Sequence, residues 1–160
     1  MDYKDFLSEL DSEVEDIHAS YFDIEITDTY WVPTQDDSNL TYENFDSYSK
    51  KVKTIETCVL FIDIRKSTAI SLKNDAVKMT KLYTSFSRAM IKIAEKTGGK
   101  VRNIIGDRVM VVYDHIGCCE KAIETAILMS TATKNIINKH FKDANVKCGI
   151  GIYFHYGLML

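Results

Sequence analysis

The chain has one proline, no C-x-x-C pair and no apolar run approaching the roughly 20 residues that a membrane span needs, and each absence removes a class of protein. Its four cysteines, Cys58, Cys118, Cys119 and Cys148, have no histidine at metal-finger spacing, so they read as free, mostly buried thiols. His18, His115, His140 and His155 show neither ligand nor triad spacing. The opening residues, MDYKDFLSELDSEVEDI, lack the basic-then-apolar order of a secretory signal, which argues against export. Internal repeats and low-complexity tracts are also missing. These absences point to a soluble, cytoplasmic globular protein, and 160 residues with 46% hydrophobic and 27% charged side chains suit one domain with appendages.

The net charge of -3 hides a division. Residues 1–50 carry 14 acidic and 2 basic side chains, and residues 51–160 carry 9 acidic and 18 basic. The pattern predicts an acidic N-terminal extension over 1–53, packing on the core or on a partner subunit, and a basic body over 54–160. A basic body suits a polyanionic ligand, but its charges are scattered among apolar positions and not clustered with aromatics, so no nucleic acid partner is expected.

Phe6, Leu10, Val14, Ile17 and Tyr21 fall on one face of a predicted helix, and Phe22 to Thr27 alternates like a half-buried strand. Pro33 opens a polar loop, and 34–53 reads as connection. From Cys58 to Ile64 the run is continuously apolar apart from Asp63, the mark of a strand buried on both faces. Leu82, Phe86, Met90 and Ile93 form a helical stripe that Gly98-Gly99 stops. Two short strands, Lys100 to Ile105 and Val109 to Tyr113, meet through Gly106-Asp107 as a tight hairpin. Ala122, Ile123, Ala126, Ile127, Ser130 and Ile137 mark a second helix, and a last apolar strand region runs from Val146. The order β, α, β, β, α, β predicts an α+β, ferredoxin-like fold: an antiparallel sheet with both helices on one face, preceded by a helical and extended N-terminal segment.

That topology sets the end of the first strand beside the turn of the central hairpin, so Asp63 and Asp107 would meet. Converging carboxylates are costly unless a cation lies between them. A hard divalent ion such as Mg²⁺ takes one or two carboxylates together with phosphate oxygens, which suits a phosphate-handling site. Taken singly, Asp63 reads equally well as a helix cap and Asp107 as a turn residue.

The neighbours of the two aspartates carry a resemblance. Leu60-Phe-Ile-Asp-Ile-Arg-Lys-Ser-Thr68 and Asn103-Ile-Ile-Gly-Asp-Arg-Val-Met110 resemble the two metal motifs of class III nucleotide cyclases, over about residues 56–157. The resemblance implies two Mg²⁺ or Mn²⁺ ions held by Asp63, Asp107 and the carbonyl of Ile64, with the catalytic role on the two aspartates. It also implies a triphosphate cradled by Ile64, Arg65, Lys66, Ser67 and Thr68, and active sites at a homodimer interface. The family's transition-state asparagine and arginine have no match, so the domain is expected to be C-terminally incomplete here, and this chain alone to be inactive or nearly so.

Where adenylyl cyclases carry a lysine and guanylyl cyclases a glutamate to read the purine, this chain has Asn103, preceded by Arg102. An amide can pair with the edge of uracil or cytosine. The stretch Trp31-Val-Pro-x4-Ser-Asn-Leu-Thr-Tyr42, together with Cys148-Gly-Ile-Gly-Ile, is similar to the bacterial pyrimidine cyclases of Pycsar anti-phage systems. That likeness implies UTP or CTP as substrate, cyclic UMP or cyclic CMP as product, and a separate effector that responds to it. Trp31 and Tyr42 themselves read as packing residues ahead of base-stacking ones. A purine cyclase and a non-catalytic nucleotide-sensing module remain open, whereas a diguanylate-type enzyme is disfavoured by the lack of a Gly-Gly-Asp/Glu-Glu-Phe run.

Overall fold

The computed structural model describes residues 3–19, 24–32 and 50–159. Tyr21, Phe22 and Tyr42 lie outside them. Among the described residues no helix is long and apolar enough to cross a membrane. The chain divides into two units: one joins Tyr30–Val32 to Ile55–Gly157, and the other takes the remainder.

In the smaller unit, α1 (Tyr3–His18) is amphipathic as its spacing predicts, yet buries none of its residues. Strand β1 (Ile24–Asp28) pairs in parallel with the start of β2 (Lys50–Ile64), from Ile24 opposite Lys50 to Asp28 opposite Thr54. The predicted connection over 34–53 therefore ends early, at Lys50. Lysines dominate positions 50–53 and mask their extended character, but backbone pairing is indifferent to side-chain chemistry.

In the larger unit, β2 continues and is followed by a short α2 (Ser67–Ser71), α3 (Ala76–Lys96), β3 (Gly99–Ile105), β4 (Arg108–Tyr113), α4 (Cys118–Ala132) and β5 (Cys148–Met159), of which the unit takes the part up to Gly157. A π-helical turn, Thr133–Ile137, and a short α5 (Asn138–His140) follow α4. β4 pairs antiparallel with both β2 and β3, and β5 pairs with β2. The result is the expected α+β arrangement with strand order β5-β2-β4-β3.

Alternation along the strands decides which side is core. Cys58, Leu60, Ile62 and Ile64 of β2 and Val109, Val111 and Tyr113 of β4 share one buried cluster with Met79, Leu82, Phe86, Met90 and Ala94 of α3 and Cys118, Ala122 and Met129 of α4. Both long helices therefore cover the same sheet face. On the opposite face Val59, Phe61 and Asp63 are only half-buried, so β2 is closed on one side, not on both. Helix α3 starts where the Asp75 carboxylate accepts a hydrogen bond from Lys78 N at 2.8 Å, an N-cap worth about 1 kcal/mol. It ends at Gly98, whose φ of 78° suits glycine.

Two packing expectations are corrected. In α4 the buried face is Cys118, Ala122, Thr125, Met129 and Ala132, while Ile123 and Ile127 are exposed. Small residues let α4 approach closely, and isoleucines on its outer side make the apolar periodicity ambiguous. Trp31 is 60% exposed, and its neighbour Val32, at 1%, does the packing.

Tyr113 is fully buried, and its hydroxyl has no partner of hydrogen-bond geometry. Burial pushes its pKa up to about 12, outweighing the small opposing effect of Thr125. With the folded value above the unfolded one near 10, the folded state holds the phenol proton more tightly, so this contribution is complete below pH 10 and is lost as pH rises toward 12. Tyr113→Phe is expected to change stability at pH 7 by no more than about 1 kcal/mol and to flatten the alkaline loss. Denaturant melts across pH 7–12 that match wild type throughout would contradict this.

Candidate active site

Asp63 is the penultimate residue of β2. Its parity places it opposite the helices, and Ile62 and Ile64 on either side are fixed in the core. Asp107 is the second residue of the two-residue turn between β3 and β4, where Ile105 faces Arg108 and Gly106 takes a φ of 62°. The turn folds onto the end of β2: Asp107 Oδ2 accepts a hydrogen bond from Ile64 N at 2.8 Å. Arg108, the next residue, sets its guanidinium 3.6 Å from Asp63 Oδ2. With side chains 58% and 38% exposed, this ion pair is partly screened and worth little, so a stronger cation can displace it.

A cleft of about 710 Å³ opens beside Asp63, lined by residues that include Ile64, Arg65, Lys66, Arg108 and Tyr153. Arg65, Lys66 and Arg108 give this cleft the charge to receive a polyanion. Asp107, Arg102, Asn103, Ser67 and Thr68 are not among its lining residues. Ser67 and Thr68 begin α2, which Lys66 enters through a left-handed backbone, φ 59°.

Arg102 and Asn103 are handled by a bulge. Val101 faces Val111 and Asn103 faces Met110, which leaves Arg102 as the extra residue of β3. The inserted residue reverses the parity beyond it. Asn103 thereby joins Met110 and, across β4, Phe61 in one row on the face that carries Asp63. Without the bulge, Arg102 would occupy that row and Asn103 would turn toward the helices.

Sequence reasoning missed the part played by β5. A side chain at Gly149 would place its Cβ 2.7 Å from Asp63 Oδ1 and 3.2 Å from Arg65 Nε, so the carboxylate sits where only glycine leaves room. At Gly151 the nearest atom would be Tyr153 Cε2, at 3.0 Å. The ring of Tyr153 meets Phe61 edge-on, with centroids 6.0 Å apart. The available signal was the alternation of Gly149 and Gly151 on one face of a strand.

A sheet with two long helices on one face, Asp63 at a strand end and the hairpin-turn Asp107 bonded to the adjacent Ile64 N define an α+β domain with two acidic positions beside one strand end. Residues 48–160 match the adenylate and guanylate cyclase catalytic domain, and the chain belongs to that family. An adenylate cyclase of Anabaena cylindrica is 26% identical over 106 residues, covering 64% of this chain and 21% of that protein, so the chain spans about a fifth of that relative's length. Among solved structures, the adenylyl cyclase CyaB from P. aeruginosa has 22% identity and a TM-score of 0.59, covering 68% of this chain and 67% of that one. The guanylyl cyclase Cya2 has 17% identity and a TM-score of 0.58, covering 66% and 64%. The chain thus carries a nucleotide cyclase catalytic domain.

Gly149→Ala is expected to displace the Asp63 carboxylate and cut turnover by about tenfold or more, because small misplacements at a reacting centre are costly. Gly151→Ala meets only the movable ring of Tyr153 and should cost much less. Equal losses in the two variants, measured with matched thermal melts, would contradict the crowding argument.

Proposed function

We propose that the chain is the catalytic body of a metal-dependent nucleotide cyclase that converts a pyrimidine nucleoside triphosphate, UTP or CTP, into its 3′,5′-cyclic monophosphate with release of pyrophosphate. The observation that carries the metal reading is the hydrogen bond from Ile64 N to Asp107 Oδ2, which draws the hairpin turn onto the strand end bearing Asp63. The donor set fits a hard cation: two carboxylates and a backbone carbonyl are oxygen donors, and the place is already balanced by the weakly held positive charge of Arg108. Asp63, Asp107 and the carbonyl of Ile64 would hold two Mg²⁺ or Mn²⁺ ions. Bound there, such ions supply polarisation of the phosphate and a lower pKa for the attacking 3′-hydroxyl.

The rest of the work falls to the chain's own groups. Arg65, Lys66 and Arg108 neutralise the triphosphate along the cleft, with the backbone through Ser67 and Thr68 as its cradle. Positioning for in-line attack on the α-phosphorus is the main contribution, since this chemistry asks for little besides geometry and charge. Asn103 reads the base, with Arg102 beside it. Its place in the row with Met110 and Phe61 supports this, because the amide then lies on the same sheet face as Asp63. Residues 54–160 form the catalytic core and 1–53 the extension. Exposed Phe154 and Tyr156 on β5 support a homodimer with sites at its interface. The sequence likeness around Trp31 and Tyr42 supports a second-messenger role in anti-phage defence, read by a separate effector.

A purine cyclase is the second reading, favoured by the adenylyl and guanylyl cyclases among the relatives. Incubation of the full-length protein with ATP, GTP, CTP and UTP separately in Mn²⁺, with products identified by mass spectrometry, separates the two. Cyclic UMP or cyclic CMP is expected; cyclic AMP or cyclic GMP would overturn the assignment of Asn103 while keeping the mechanism. Asp63→Asn and Asp107→Asn should each abolish turnover with little change in melting temperature. Full activity in either would refute the metal assignment, and no product from the folded full-length protein would favour a sensing module.

A further inference from the structure

Three of the chain's four cysteines converge away from the cleft. Cys58 lies on the core face of β2, and Cys118 and Cys119 open α4. Their sulfurs lie within 4.8 Å of one another, with Cys58 Sγ 3.1 Å from Cys119 Sγ. We propose that Cys58, Cys118 and Cys119 form a trithiolate site for a soft, closed-shell cation of the Cu(I) class.

Three features of the cluster support this assignment. Three mutually close sulfurs are what a trithiolate needs, whereas a disulfide would use two and strand the third. At a metal–sulfur distance of about 2.3 Å, a three-coordinate ion sets its sulfurs about 4 Å apart. The cluster meets that spacing if the Cys58–Cys119 contact opens by roughly 1 Å, a movement open to Cys119 because it is exposed while the other two are buried. No histidine, aspartate or glutamate joins the cluster among the described residues, so the donors are all soft and number three. That set favours Cu(I) over Zn²⁺, whose structural sites take four ligands, and excludes the hard ions expected at Asp63.

The surroundings account for how negative charge would be carried there. Helix α4 has Gly117 at its N-cap and no side-chain cap, so the positive end of its dipole is directed at Cys118 and Cys119. Cys58 and Cys118 are buried, so Cys119 is the sulfur that solvent reaches. Cys119 would be the point of entry. Occupancy would pin the strand that carries Asp63 to the start of α4, while placing the soft ion in a site chemically separate from the magnesium or manganese site.

The test is anaerobic titration of the fully reduced protein with Cu(I), in competition with a chromophoric Cu(I) chelator and followed by copper stoichiometry, Cu(I)–thiolate luminescence and thermal melting. One Cu(I) per chain is expected, with a raised melting temperature. Cys119→Ser, at the exposed position and therefore safe for folding, should weaken retention at least about tenfold by removing one of three thiolates. Cys148→Ser should leave retention unchanged. Retention unaffected by Cys119→Ser would overturn the proposal, as would loss of the copper to the chelator without luminescence.

Discussion

Alternation along β2 constrains both the core and the cleft. Leu60, Ile62 and Ile64 are anchored among α3 and α4 with almost no exposure, so the residues between them must face the other way. A slip of one residue would bring Asp63 against the helices as an unpaired buried charge and expel two or three large side chains. The register is therefore held from both faces. The same rule, acting through β4, places Arg108 next to Asp63 and Met110 next to Phe61.

Around this frame the site is built mostly by backbone devices. A two-residue turn delivers Asp107 to Ile64 N, a left-handed residue at Lys66 turns the chain into α2, and a bulge at Arg102 changes which face Asn103 occupies. Gly149 clears the space the Asp63 carboxylate fills. Each device redirects one side chain without disturbing the buried face, which allows position 103 to vary independently of the core. The Arg108–Asp63 pair is weak enough to be exchanged for another cation.

Much of this was legible in the sequence. An aspartate interrupting an apolar strand and another beside glycine in a hairpin turn are local signals, and the βαββαβ order brings them together. The start of β2 was hidden by lysines that pair through their backbone, and the buried side of α4 was hidden because small residues make the close contacts while Ile123 and Ile127 point outward. The bulge at Arg102 and the clearance at Gly149 depend on partners distant in sequence, which no local pattern encodes. The convergence of Cys58 with Cys118 and Cys119 belongs to the same class: it follows from α4 starting over the core face of β2.

The central claim is that Asp63 and Asp107 together hold the divalent ions. It is tested most directly by electron paramagnetic resonance of Mn²⁺ titrated into wild type, Asp63→Asn and Asp107→Asn, each with a non-hydrolysable UTP analogue. Wild type should remove free Mn²⁺ signal beyond that bound by the nucleotide alone, and each variant should lose that excess while its melting temperature holds. An excess retained in either variant would contradict the shared site.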